Sequence, residues 1–256
     1  MSSDAARDYF EFVADVGMTK HYGSMEATRE LISLCHIASG QYVLDVGCGV
    51  GATPSYLAKS VGCRVVGVDL LEKMVEQSRA RAESEGVADR VELRVADARS
   101  LPFEDNLFDA VICESVLVFF ENKQEAMSEY VRVAKPGGYV GMTEMTWLQP
   151  PTAKLEEMFR QMVHAEALEA SGWKQSLEEA GLSEIVGSGH RIDGSAETRG
   201  RFERYGYGGI AKILLRMLVT SFRDKSARQM IKDGVGGVSR DILDYVGYGV
   251  FVGRKA

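Results

Sequence analysis

Proline is scarce, 5 in 256 residues, which excludes a proline-rich linker or tail. Cysteine is rarer still, with 4. Cys35, Cys48, Cys63 and Cys113 form no Cys-x-x-Cys pair and read as buried, reduced thiols rather than a disulfide framework. The four histidines, His21, His36, His164 and His190, are scattered, so no zinc-ligand spacing exists and no metal is expected. No apolar run approaches the ~18 residues of a membrane span; the run from Val116 to Phe120 stops at Glu121. The opening Met1-Ser-Ser-Asp4 has no basic stretch leading into an apolar one, so a cytoplasmic location is expected. Positive charge is in deficit, with 30 Lys and Arg against 37 Asp and Glu, a net −7. That balance argues against a nucleic-acid partner, whose footprint is basic. Internal repeats and low-complexity tracts are absent.

What remains is an ordinary globular composition, 45% apolar and 26% charged, at a length that one core can still serve. A single domain over 1–256 is expected. From Gln41 to Glu144, short β-branched runs alternate with helical stretches. The strands are predicted at Tyr42–Val46, Arg64–Val68, Val91–Val95, Phe108–Cys113 and Gly138–Thr143. Helices are predicted over Ala52–Ser60, Leu71–Ser84 and Gln124–Val133, the last stopped by Lys135-Pro-Gly-Gly138. Near-continuous apolar strands separated by helices imply a parallel sheet covered on both faces, a doubly wound α/β fold. Downstream, helices are predicted over Thr152–Ala170 and Trp173–Ala180. A sixth strand starts at Glu184 and a last one covers Tyr245–Val252. A helical insert spans 193–244.

Charge is distributed unevenly. Residues 191–232 carry ten Lys and Arg against four Asp and Glu, while the rest of the chain has an excess of 13 acids. A basic, partly apolar insert on an acidic body suits an anionic substrate or a peripheral membrane contact.

The densest chemistry lies at Val43–Gly51. A strand runs into a turn holding Gly47, Gly49 and Gly51, and a helix leaves it. Glycines allow a sharp turn and let a ligand lie against bare main chain. The amides at the helix start then face the ligand with partial positive charge. Gly47, Gly49 and Ala52 equally fit a dinucleotide pattern, so a nicotinamide cofactor stays open on this block alone. Acids then end three successive strands. Asp45, two residues before the first glycine, suits a ligand ammonium. Asp69 stands where a carboxylate grips a ribose diol. Asp97, with Ala98, suits an adenine amino group.

These blocks, together with Leu101-Pro-Phe103, Phe108-Asp-Ala-Val111 and Val133-Ala-Lys-Pro-Gly-Gly138, resemble class I S-adenosylmethionine-dependent methyltransferases of the quinone, sterol and natural-product type. The likeness is dense over 40–145. It implies a Rossmann-like, seven-stranded, mostly parallel sheet whose last strand is antiparallel. It also implies an N-terminal lid in 1–40, a cofactor-binding core in 41–145, and a substrate cap in the insert. S-adenosylmethionine would be the cofactor and S-adenosylhomocysteine the product. Gly47, Gly49 and Gly51 would line the methionine part and nucleoside, and Asp69 would hold the ribose. Leu70 and Met74 would flank the adenine, Asp97 and Ala98 would address its edge, and Glu114 would contact the methionine moiety. The DNA-methylating relatives' Asn/Asp-Pro-Pro-Tyr/Phe motif is replaced here by Cys113-Glu-Ser-Val116, in keeping with a small-molecule acceptor.

Methyl transfer from a sulfonium needs alignment and dryness more than a fixed triad, so the acceptor side is less legible. Tyr9, His21 and Tyr22 precede the first strand in the lid region; His21 is a candidate base, and Tyr22 a candidate cofactor contact. Glu144 and Trp147, past the fifth predicted strand, are candidates for the base and floor of the acceptor pocket. Tyr205, Tyr207 and the stripe Ile210, Ile213, Leu214, Met217 and Leu218 would cap a lipid-like or aromatic acceptor. Because the family has no mandatory catalytic residue, a cofactor-binding protein without turnover is the alternative reading. A nicotinamide-dependent oxidoreductase is a more distant one, since no Tyr-xxx-Lys pair accompanies the glycines.

Overall fold

A computed structural model describes residues 11–17, 22–163, 165–223, 228, 242 and 244–256. Tyr9, His21 and most of the stretch 224–243 lie outside the described residues. In chain order the elements are α1 (Ser24–Leu34), β1 (Tyr42–Val46), α2 (Ala52–Tyr56, continued by a π turn to Val61) and β2 (Arg64–Asp69). There follow α3 (Glu72–Ser84), β3 (Val91–Val95), β4 (Phe108–Glu114), α4 (Lys123–Val133) and β5 (Ala134–Trp147). The chain continues through α5 (Ala153–Val163), β6 (Leu168–Glu169), α6 (Ala170–Glu179), β7 (Leu182–Arg191), α7 (Gly194–Arg223) and β8 (Val246–Lys255).

The sheet runs β3-β2-β1-β4-β5-β8-β7, with the two-residue β6 attached to β5 off this path. Strands β1 to β5 are parallel and β8 is antiparallel to both its neighbours. The order reverses at β1, so β1 and β4 diverge to opposite sides and leave a crevice at their carboxyl ends. Side chains of successive strand residues go to opposite faces. Leu44, Val46, Val66, Val68, Val111 and Cys113 enter one buried cluster; Val43, Val65, Ala110 and Ile112 enter the other. Both faces are therefore covered, as the runs of apolar residues required.

Two expectations are corrected. The sheet has an eighth, short strand, β6, inside the segment read as one helix from Thr152 to Ala170. β5 does not begin at Gly138 and end at Thr143 but spans Ala134–Trp147. The Lys135–Gly138 stretch is an irregularity within it, where pairing to β4 jumps from Phe108–Ala134 to Ala110–Tyr139. A Cβ on Gly138 would lie 2.8 Å from the Asp109 carbonyl oxygen, which is why glycine stands there. The strand continues past Thr143 because β8 pairs with it residue by residue, from Tyr139–Arg254 to Trp147–Val246.

Candidate functional site

The crevice beyond β1 and β4 holds about 1160 Å³ of space not filled by protein, part of it open to solvent. The glycine turn forms one wall. The Gly47 and Cys48 amides both donate to the Val68 carbonyl, at 2.8 and 2.9 Å, which ties the turn to β2. Gly47, Gly49 and Gly51 all have left-handed φ, at 77°, 53° and 77°, a region costly for other residues. Gly47 and Gly49 line the cavity; Gly51 does not. It packs against α3 instead, where a Cβ would collide with Ser78 Oγ and lie 2.9 Å from its Cα. Its contribution is to let α2 approach α3.

Asp69 ends β2 and holds two backbone amides. Oδ2 accepts the Gly49 N–H at 2.9 Å and Oδ1 the Leu71 N–H at 3.0 Å. Burial pushes its carboxyl up, and those amides pull it back. Lone pairs on both oxygens remain for a diol. Asp45, inside β1, is 2% exposed and lines the cavity. Its carboxylate accepts no hydrogen bond from the described residues. Burial, then the charges of Glu114 and Asp69, raise its carboxyl well above the ordinary range, against the opposing pull of Arg204. Glu114, at the end of β4, accepts Thr53 Oγ1–H at 2.6 Å and Thr28 Oγ1–H at 2.8 Å. Those hydroxyls from α2 and α1 fix its direction.

Leu70, Met74 and Ala98 line the same cavity. Asp97 does too, but its carboxylate is gripped by Arg99, with Nε and Nη2 contacts of 3.0 and 2.7 Å. The bonding to Arg99 holds its carboxyl below the usual range. Val116, Phe119 and Phe120, from the loop after β4, also line the cavity, with Val116 packed against Gly47. This loop is shaped by a residue that sequence reasoning misplaced. Glu144 is fully buried inside β5, facing Gly249 of β8. It receives the N–H groups of Val116 at 3.0 Å, Leu117 at 2.8 Å and Val118 at 3.4 Å. Ser115, at φ 60°, turns the chain so that these amides converge. Burial pushes the Glu144 carboxyl up to about 7. Its position is structural support for the loop, not the floor of the crevice, because β8 extends the sheet past it.

Trp147 is likewise inside the strand, buried against Phe159 at a centroid distance of 5.0 Å. Tyr22 packs on the core away from the cavity wall. Tyr205 is half-buried, with the Arg81 guanidinium 5.6 Å from its ring, and Tyr207 is 83% exposed. Neither lines the crevice. Sequence reasoning did not find Thr28, Thr53, Val13, Arg99 and Arg204. The first two are ordinary helix residues until the fold aims them at Glu114. Arg204 reaches the cavity from α7, a placement that no local pattern encodes.

The cavity thus offers bare backbone, four carboxylates of which Asp97 is paired with Arg99, Arg204, and an apolar wall. The buried Asp45 carboxylate, which takes no hydrogen bond from the described residues, is suited to an ammonium donor, and the residues present therefore fit a nucleoside joined to a cationic amino acid. Comparison with known proteins agrees. Residues 44–142 match the methyltransferase domain family. The chain is 33% identical over 179 residues to an uncharacterized protein of Haemophilus influenzae, covering 68% of this chain and 71% of that one. It is 32% identical over 159 residues to methyltransferase GfsG of Streptomyces halstedii, spanning 60% of this chain and 57% of that one. Two solved structures share the fold. One is the [4+2]-cyclase SpnF, with a TM-score of 0.76 at 20% identity over 98% of this chain and 94% of that one. The other is phosphoethanolamine N-methyltransferase 2 of Haemonchus contortus in complex with S-adenosyl-L-methionine, with a TM-score of 0.71 at 22% identity over 99% of this chain and 60% of that one. With the strand-end acids and the glycine turn in these positions, the chain belongs to the class I S-adenosylmethionine-dependent methyltransferases.

Proposed function

We propose that the protein transfers the methyl group of S-adenosylmethionine to a small-molecule acceptor of lipid-like or aromatic character. When bound, the cofactor supplies a methyl carbon activated by a positive sulfur. Asp69 would hold the ribose hydroxyls, Asp45 the ammonium, and Leu70, Met74 and Ala98 the adenine. The Gly47–Gly49 backbone would lie against the nucleoside. Val13, Val116, Phe119 and Phe120 would keep water from the methyl position and present an apolar acceptor to it. That apolar wall supports the acceptor class. Insert residues 193–244 and the lid in 1–40 would close the acceptor side. If the reaction needs a base, His21 remains the candidate, since Glu144 is committed to the amides after β4.

Asp45 carries this reading: a carboxylate kept out of water, without a hydrogen-bond donor among the described residues, beside two further carboxylates. Such a site is unfavourable when vacant and favourable around a cation. The test is turnover. Purified protein with S-adenosylmethionine and a library of quinones, phenols, sterols and polyketides should release S-adenosylhomocysteine with some of them. Turnover confined to small hydrophilic acceptors would remove the apolar preference. Tight cofactor binding without turnover on the library or on cell extract would favour a non-catalytic role.

A further inference from the structure

Helix α7 is broken at Gly206, whose φ of 63° and ψ of 170° are not helical. The arm beyond it, 207–223, turns one side toward the protein. Ile213 and Met217 are half-buried there, and Met217 packs on the cluster that contains Val13 and Met74. Its other side is bare. Leu214, Leu215, Leu218 and Phe222 are 60%, 61%, 54% and 75% exposed, and Tyr207 and Val219 are exposed with them. At 3.6 residues per turn these six fall within an arc of roughly 140°. A helix apolar on both sides is normally enclosed, and a contiguous bare apolar face marks a contact surface.

The charges say what kind of contact. From Arg204 to Arg223, both included, there are four basic residues and no acidic one. Lys212 and Arg216 are exposed and lie along one margin of the apolar arc. An apolar face edged by cations complements the headgroup region of an anionic bilayer, where aliphatic side chains enter the acyl boundary and long basic stems reach the phosphates. A second copy docked face to face and antiparallel would bring cations against cations along that margin. No described helix is long and apolar enough to cross a membrane, so the arm would lie in the interface plane.

We propose that residues 207–223 form a docking face for anionic lipid surfaces. The test is co-sedimentation of the full chain with vesicles of phosphatidylcholine alone, and of equal parts phosphatidylcholine and phosphatidylglycerol. Binding to the mixed vesicles is expected, weakened by salt. Lys212→Gln and Arg216→Gln should each weaken it about fivefold, and Leu218→Glu with Phe222→Glu by at least roughly tenfold. Unchanged thermal midpoint and cofactor affinity would show that the variants remain folded. Equal binding to both vesicle types, or binding indifferent to these substitutions, overturns the proposal. So does absence of vesicle binding, whether or not the chain instead forms a dimer that Leu218→Glu dissolves.

Discussion

The carboxylate of Asp69 and the amide of Gly49 are 2.9 Å apart, so the acid that ends β2 also holds the glycine turn that follows β1. The same side chain reaches forward to Leu71 and starts α3. One residue thus sets the shape of the cavity and remains able to accept from a ligand.

Glu144 makes stability depend on pH. Its carboxyl is raised to about 7 by burial, from an ordinary value near 4.3 when unfolded. The folded state therefore holds more protons between those values, and this group's contribution to stability is lost as pH rises through that window. Glu144→Gln keeps an acceptor for the Val116 and Leu117 amides and should flatten that dependence in urea denaturation at pH 5 and pH 8. Glu144→Leu leaves buried amides without an acceptor, about 1–3 kcal/mol each, and should lower the thermal midpoint at both pH values. A Leu variant as stable as the Gln variant would contradict the support role.

Asp45 links cofactor binding to protons. Its carboxyl is raised in the free protein by burial and by Glu114 and Asp69, whereas a bound ammonium favours the ionised form. S-adenosylmethionine binding should therefore release protons and strengthen as pH rises. Calorimetry in two buffers of different ionisation enthalpy reads the release directly. Asp45→Asn should remove Asp45's share of that release and weaken binding roughly 10- to 100-fold. An undiminished release in Asp45→Asn would assign the proton elsewhere.

Gly51 tests the packing of the turn. Alanine there would carry a left-handed φ of 77° and meet Ser78. A loss of about 2–4 kcal/mol is expected from the two costs together. In a Ser78→Gly background the same alanine should cost less than in the wild type, because Oγ and Cβ are gone while the 2.9 Å approach to the Cα and the backbone cost remain, as measured by denaturant midpoint. No recovery would show that the contact with Ser78 is unimportant.

Much of this architecture was legible in the sequence. β1, β2 and β4 are buried on both faces, so their residues are apolar almost without interruption, and each carries an acid, at its last position or the one before it, that lines the crevice. The stretch after Thr143 was not legible. Glu144 and Trp147 read as residues beyond a strand because a buried acid contradicts the strand pattern. The fold resolves the contradiction with three amides about 27 residues earlier in the chain. β6 is two residues long and leaves no periodic trace. β7, an edge strand with much of one side in solvent, has too little burial pressure to set its limits. Arg204 and the two threonines on Glu114 depend on tertiary placement that spacing does not encode.

The central claim is that a cationic, nucleoside-bearing cofactor sits against the Gly47–Gly49 backbone and is held by Asp69. Isothermal titration of S-adenosylmethionine into the wild type and Asp69→Ala tests it most directly, with circular dichroism confirming that the variant is folded. A loss of affinity of roughly 10- to 100-fold is predicted, the worth of a charge-assisted contact to the ribose. Equal affinity in a folded Asp69→Ala would contradict the account.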